Sequence, residues 1–321
     1  MSRKLITIST IMTLMSTSVI ADVPNVAADI APIHSLVSRV MDGVGAPKLI
    51  VQSGVSPHGY RLRPSEAKAL QDADHVFWMG EELTPWLDSA IDTLATKASV
   101  TTLLDQEGII LHDFREGALF EAHDHSAHGD DDHDDHDDHD DHKDHDDHDD
   151  HGSQDPHAWL SPENAKLWLN IIASKLSVSD PENAATYFMN AAAGQAEIEA
   201  MIAEVKATLK PVQGGKFVVF HDAYQYFEND FDFYASGAIS LGDSSDPSPA
   251  RIEKVQKRIR DEGIQCVLAE PQYKKGLVAT VMEGSDATAS VIDPLGAELE
   301  AGPKLYTQLI KNMAKTLRNC L

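Results

Sequence analysis

The sequence predicts an α/β protein in which two βα lobes with parallel sheets are joined by a long rigid linker helix. Short apolar, β-branched runs alternate with amphipathic runs of helical length, which is the pattern of parallel βα units. This alternation stops once, in a stretch without strand-like runs, and then resumes. The length of 321 residues suits two domains better than one.

Four strands and three helices are predicted before the interruption. The strand-like runs are Val26–Ile30, Lys48–Gln52, His75–Met79 and Val100–Leu104. The helical runs between them are Ile33–Met41, Pro64–Gln71 and Thr84–Leu94. Because each helix separates two short strands, we expect parallel pairing in this lobe.

Two helices are predicted where the strands stop. The first covers Pro162–Leu176, with Ser161 as its N-cap and proline at its first position. The second starts at Pro181 and runs to Lys210 without a strong breaker. A helix of about 29 residues would span roughly 44 Å and would act as a stiff spine.

The βα pattern returns after this helix. The strand-like runs are Phe217–Phe220, Ala235–Ser240, Cys266–Ala269 and Ser290–Ile292. The helical runs are one that follows the first strand, then Pro249–Glu262, Gly276–Met282 and Lys304–Leu317. The expected organisation is a signal peptide at 1–21, an N-terminal lobe at 22–180, the linker helix at 181–210 and a C-terminal lobe at 211–321.

The first 21 residues have the features of a secretory signal. Arg3 and Lys4 precede an apolar stretch to Ile20, and Ala21 suits the cleavage point, with Ala28 as a second candidate. A membrane anchor is the alternative, but sixteen residues diluted by Ser and Thr are short for a span of about 20 apolar residues. We therefore expect the protein to be exported.

Export favours a disulfide between the two cysteines, Cys266 and Cys320. In an oxidising compartment one bridge would tie the C-terminus to a strand. Two reduced cysteines are the alternative.

The acidity is concentrated in one tract. The chain has a net charge of -26, and residues 121–151 carry fifteen Asp, one Glu and a single Lys, hence -15 of that total. Such acidity argues against a nucleic-acid partner. Ten histidines lie in the tract: His123, His125, His128, His133, His136, His139, His142, His145, His148 and His151.

The composition of this tract predicts a disordered loop at 121–154 within the N-terminal lobe. Imidazole binds zinc, copper or nickel, and the carboxylates attract cations. A solvating acidic loop is the alternative. If the loop binds metal, we expect weak, accessory binding, because no fixed coordination is expected there.

A second group of histidines lies where strands end. His58 and His221 follow predicted strands, His157 precedes a helix, and Asp293 follows the last strand. Ligands of open α/β sheets bind beyond the carboxyl ends of the strands. Three imidazoles and a carboxylate would make a tetrahedral zinc site. Three other histidines have weaker predictions: His34 as an accessory group, and His75 and His112 as structural residues.

Several motifs resemble the metal-binding solute receptors of ABC importers, and within that family the periplasmic zinc receptors. These are Ser-Pro-His-Gly-Tyr from 56, Asp-Pro-His-Ala-Trp-Leu from 155, Val-Phe-His-Asp-Ala-Tyr from 219, Leu-Ala-Glu-Pro-Gln from 268 and Ile-Asp-Pro-Leu-Gly from 292. The resemblance implies one metal ion bound between the two lobes and delivered to a permease in the inner membrane.

The resemblance also implies a ligand set. His58, His157 and His221 match the family's three histidine ligands, and His221 favours zinc because manganese receptors carry a carboxylate there. Asp293 matches a fourth ligand of some members, with water as the competitor. Glu270 is expected to support the ligands from behind.

The leading hypothesis is therefore a monomeric periplasmic receptor that takes Zn²⁺ as its transported ligand and is not an enzyme. A manganese or iron receptor of the same family is one alternative. A zinc hydrolase is another, with Glu270 as its candidate base, although no HExxH motif is present. A storage or adhesion protein that uses the tract as a zinc sponge is the third.

Overall fold

The computed structural model describes residues 23–115, 120, 154–240, 247–272 and 275–321. The predicted signal peptide and the ten histidines of the tract lie outside the described residues. Among the described helices, none is both long enough and apolar enough to cross a membrane.

A four-stranded parallel sheet forms the first lobe. Its strands are β1 (Val26–Ala28), β2 (Lys48–Leu49), β3 (His75–Trp78) and β4 (Ser99–Thr102), in the order β2-β1-β3-β4. The helices between them are α1 (Ala31–Val40), α2 (Pro64–Asp72) and α3 (Pro85–Leu94). Each strand pairs in parallel with its neighbours, as the sequence predicts.

The second lobe repeats this topology. Two helices lie between the lobes, α4 (Pro162–Ser179) and α5 (Ala184–Leu209). The second sheet contains β5 (Phe217–His221), β6 (Ala238–Ser240), β7 (Cys266–Ala269) and β8 (Thr288–Val291), in the order β6-β5-β7-β8. Its helices are α6 (Gln225–Phe231), α7 (Pro249–Glu262), α8 (Lys275–Met282) and α9 (Leu305–Cys320). The α/β class with two parallel sheets is confirmed.

The strand order creates one switch point in the second sheet. The connections from β5 and from β7 leave in opposite directions across the sheet, so the crevice lies between the carboxyl ends of these strands. His221 is the last residue of β5, and Glu270 directly follows β7. The fold therefore brings these two side chains together from 49 residues apart.

Proline lies close to both ends of the spine helix. Pro181 lies in a 3-10 turn before α5, and Pro211 lies in another after it; α5 has 26 residues rather than about 29. At the C-terminal end Pro211 cannot donate the backbone hydrogen bond that would continue the helix. The shorter helix still packs against α1 and α4 on the N-terminal side and against α9 on the C-terminal side. The predicted domain boundaries remain predictions.

Some strands are shorter than their apolar runs. β2 ends at Leu49, although the N–H groups of Ile50 and Val51 still donate to the carbonyls of Ala28 and Asp29. The hydrophobic run thus marks residues that stay beside the sheet after regular pairing has ended.

The predicted disulfide is confirmed. Cys266 and Cys320 are bonded, with their Cα atoms 5.6 Å apart. The bridge ties the last turn of α9 to the first residue of β7, the strand that leads to Glu270.

Candidate metal centre

His221 lies at the end of β5 with its ring held by Glu270. The Nδ1 atom of His221 is 2.6 Å from Oε1 of Glu270, and both residues are buried. The other oxygen of Glu270 accepts a hydrogen bond from the Gln272 amide. A carboxylate at Nδ1 favours the tautomer that carries its proton on that nitrogen, and in this tautomer Nε2 has a lone pair that can bind a metal ion.

His157 is held in the same way by Asp155. Its Nδ1 atom lies 2.6 Å from Oδ1 of Asp155, which also accepts the backbone N–H of His157. This local turn precedes the 3-10 turn Ala158–Leu160, and Ser161 then caps α4 through the Asn164 N–H. Pro162 follows at the first helical position, as the sequence predicts.

The two imidazoles face each other through their Nε2 atoms. The Nε2 atoms of His157 and His221 are 3.4 Å apart, and the ring centroids are 5.2 Å apart. Two nitrogens on one tetrahedral zinc, each about 2.0–2.1 Å from the ion, would be about 3.4 Å apart, and their rings roughly 5.2 Å apart. The pair therefore already has the spacing of two zinc ligands.

His58 lies beside this pair on the loop between β2 and α2. Its ring centroid is 5.6 Å from that of His157, and its side chain is half-buried. The loop is held by the Trp86 indole, which donates to the Pro57 carbonyl. Next along the chain, the Tyr60 hydroxyl donates to Glu66 in the first turn of α2.

Asp293 has a different set of contacts. Its carboxylate accepts backbone N–H groups from Leu295, Gly296 and Ala297, at 3.0, 2.9 and 2.5 Å. It lines a cavity of about 680 Å³ together with Glu270. The same loop touches the His157 region, because the Trp159 indole donates to the Pro294 carbonyl.

Not all of the predicted ligands converge. Among the described residues, no group of three or more His, Cys, Asp or Glu is close enough to hold an ion as placed. The histidine pair has ligand spacing, His58 lies slightly farther out, and Asp293 binds its own loop.

The three weaker histidine predictions have separate locations. His34 is buried in α1 and contacts the Pro47 carbonyl and Ser38. His75 contacts Ser179. His112 contacts Asn229, and its ring is tilted against that of Tyr226, with the centroids 4.7 Å apart.

A buried charge cluster lies next to the pair and was not predicted from the sequence. The Arg115 guanidinium binds the carboxylates of Asp222 and Glu228. Burial raises the pKa of both carboxyl groups, and Arg115 opposes that rise. Burial alone would lower the pKa of Arg115, but the two carboxylates raise it above its ordinary value.

Sequence analysis also missed Asp155. The signal that could have found it is its place two residues before a candidate ligand in Asp-Pro-His, since Asp side chains commonly bind backbone N–H groups two residues on. Arg115 offers no comparable signal, because its partners are 107 and 113 residues away.

Comparisons with known proteins agree on one family. The family model ZnuA, described as the periplasmic component A of a zinc-uptake complex, matches residues 26–320. A protein of Brucella abortus named high-affinity zinc uptake system protein ZnuA is 48% identical over 92% of this chain and 91% of its own length. A protein of the same name from Paracoccus denitrificans is 44% identical over 94% of this chain and 93% of its own length.

Solved structures agree on the fold. A crystal structure of a ZnuA protein aligns with a TM-score of 0.73 at 20% identity, over 93% of this chain and 99% of that one. At 20% identity, this similarity supports only the fold, that is, the arrangement of lobes and helices.

Proposed function

Because the chain belongs to the ZnuA family of periplasmic zinc-uptake components, we propose that it is a periplasmic receptor for Zn²⁺. It binds the ion with high affinity and delivers it to an ABC permease in the inner membrane. Zinc is the transported ligand, and the protein acts as a monomeric carrier rather than as an enzyme.

One observation carries this proposal: the facing nitrogens of His157 and His221. Each Nδ1 is held by a buried carboxylate, and the two Nε2 atoms lie 3.4 Å apart. The spacing suits an ion that binds nitrogen at about 2 Å, as zinc does.

The proposed ligand set is His58, His157 and His221, with Asp293 or water in the fourth position. His58 needs only a small shift of its loop, because its ring is 5.6 Å from that of His157. Asp293 would have to share a carboxylate that already accepts three backbone N–H groups. Glu270 and Asp155 orient the ligands from behind.

Zinc is favoured over manganese by the nitrogen-rich set. Imidazole suits zinc, whereas carboxylate and water oxygens suit manganese.

We propose that the ten tract histidines collect zinc more weakly and supply it to this site. The proposed organisation remains a lobe at 22–180, a linker at 181–210 and a lobe at 211–321.

Calorimetric titration of the chain without residues 1–21 tests the proposal. We expect one tight zinc site, lost in His157→Ala and His221→Ala, with Mn²⁺ unable to displace the metal at equal concentration. If both alanine variants keep the tight site, the ligand assignment is wrong. If Mn²⁺ displaces zinc, the manganese receptor becomes the better assignment.

A further inference from the structure

Two short stretches of chain pair beside the histidine pair. Residues 112–115 and 154–155, called the neck below, come together although 38 residues separate them in the sequence. Asp113 and Gln154 form an antiparallel bridge, and the Asp155 N–H donates to the His112 carbonyl at 2.8 Å. The neck thus joins the described chain on either side of residues 116–153.

The neck is bound to the C-terminal lobe, although it belongs by sequence to the N-terminal one. The Tyr226 hydroxyl accepts the His112 N–H at 3.1 Å and donates to the Asp155 carbonyl at 2.7 Å. Tyr226 is buried in α6, and Asn229 of the same helix contacts the His112 ring. One hydroxyl therefore fixes both strands of the neck.

Arg115 supplies the charged part of this attachment. Its Nε donates to both oxygens of Asp222 at 3.0 Å, its Nη1 donates to Glu228 at 2.6 Å, and its Nη2 contacts both carboxylates. The Phe120 ring covers the guanidinium, with its centroid 3.6 Å away. Asp222 and Glu228 are 2% and 1% exposed, so this guanidinium is the counterion of two buried carboxylates.

The attachment reaches both ligands through adjacent residues. Asp222 directly follows His221 at the end of β5, and Asp155 of the neck binds the ring of His157. A shift of the neck would therefore move both imidazoles relative to each other. We propose that Arg115 is a positioning residue for the zinc site. By binding Asp222 and Glu228 to the neck, Arg115 holds His221 and His157 at the spacing of two zinc ligands. This inference rests on the proposed function.

Geometry and charge predict opposite effects for Arg115. As a nearby positive charge it should repel a dication, so its removal would tighten zinc binding. As a clamp it should hold the ligands together, so its removal would weaken binding. Lysine separates the two, because it keeps the charge but cannot form the planar fork that binds two carboxylates at once.

A matched control exists in α1. Arg39 forms a two-pronged ion pair with Glu197 of α5, and its side chain is 13% exposed, compared with 17% for Arg115. Arg39→Lys therefore makes the same chemical change at an arginine of similar exposure, at a pair that does not include the site residues and whose carboxylate is 52% exposed.

The experiment compares Arg115→Lys with Arg39→Lys in the chain without residues 1–21. Zinc affinity is measured by competition with a chromophoric chelator, and site geometry by the visible absorption of bound Co²⁺. We expect Arg115→Lys to weaken zinc binding by about 10- to 100-fold and to change the Co²⁺ spectrum. Arg39→Lys should alter neither, even if both lower the melting temperature of the metal-free protein.

A second pair of variants tests the route through Asp222. In an Asp222→Asn background, Arg115→Lys should reduce zinc affinity by a much smaller factor than in the wild type, because the contact between residues 115 and 222 is already weakened. Unchanged or tighter zinc binding in Arg115→Lys would overturn the inference. If His221→Ala abolishes binding while Arg115→Lys does not weaken it, only this inference fails; if the wild type binds no zinc, the proposed function fails.

Discussion

Replacing Glu270 by glutamine tests how much its contact with the Nδ1 atom of His221 contributes to zinc binding. The side chain keeps its size but loses its charge, at a contact of 2.6 Å between two buried residues. A hydrogen bond to a charged group is worth about 1.5–3 kcal/mol, and each 1.4 kcal/mol is a factor of about ten in affinity. We expect Glu270→Gln to weaken zinc binding by about 10- to 100-fold, the range typical of residues that orient metal-binding histidines.

The assay is chelator competition with the chain lacking residues 1–21, alongside thermal unfolding of the metal-free form. Asp180→Asn is the matched control, because Asp180 is also a buried carboxylate and accepts hydrogen bonds from Tyr187 and Asn183 at the junction of α4 and α5. It should leave zinc affinity unchanged. The reasoning is refuted if Glu270→Gln binds zinc like the wild type, or if Asp180→Asn loses the same factor.

Four further outcomes are expected. His221→Asp should narrow the zinc-over-manganese preference in paired titrations, because a carboxylate suits manganese better than imidazole does; an unchanged ratio would count against His221 as a ligand. Deleting residues 123–151 should leave the one tight site in calorimetry and remove weaker ones, whereas loss of the tight site would reverse the proposed roles. Replacing Cys266 and Cys320 by serine should lower stability by about 4 kcal/mol in the chain-entropy estimate for a separation of 54 residues, and urea unfolding that matches the wild type would contradict this. Burial raises the pKa of Asp29 to about 7, against the lowering effect of backbone N–H groups. The folded protein thus keeps a proton on Asp29 that the unfolded chain releases. The free energy of unfolding should therefore fall as pH rises from about 4 to 7, by up to about 1.4 kcal/mol per pH unit. Urea unfolding at pH 5, 6 and 7 should show a smaller fall for Asp29→Asn than for the wild type, and an equal fall in the two proteins would contradict the assignment.

The sequence predicted the strands in order because their signal is local. A β-branched run such as Phe217–Phe220 carries its own preference, and proline marks the start of α4 without any tertiary contact. The predicted ends of β2 and α5 were less accurate. A strand ends where pairing with its partner ends, and a helix ends where a proline removes a hydrogen-bond donor.

The site was only partly predictable, since convergence is a property of the fold. The positions of His58 and His221 after strands indicated one edge of each sheet, and the family resemblance selected them with His157. The sequence could not indicate that Arg115, just before an acidic tract, binds carboxylates more than a hundred residues later. Such a contact has no periodicity or fixed spacing, and only the packed structure reveals it.

The three proposed histidine ligands differ in how firmly they are held, which bears on how an ion would be exchanged. Residues of both lobes and of α5, among them Val26, Ile198 and Phe217, belong to one continuous apolar cluster. Opening the lobes like a hinge would expose part of that cluster, at about 25 cal/mol for each Å² of apolar surface. His58 instead lies half-buried on a loop, whereas His157 and His221 are buried and held by carboxylates. If these three histidines bind zinc as proposed, we expect the ion to enter and leave by movement of the His58 loop, with His157 and His221 remaining in place.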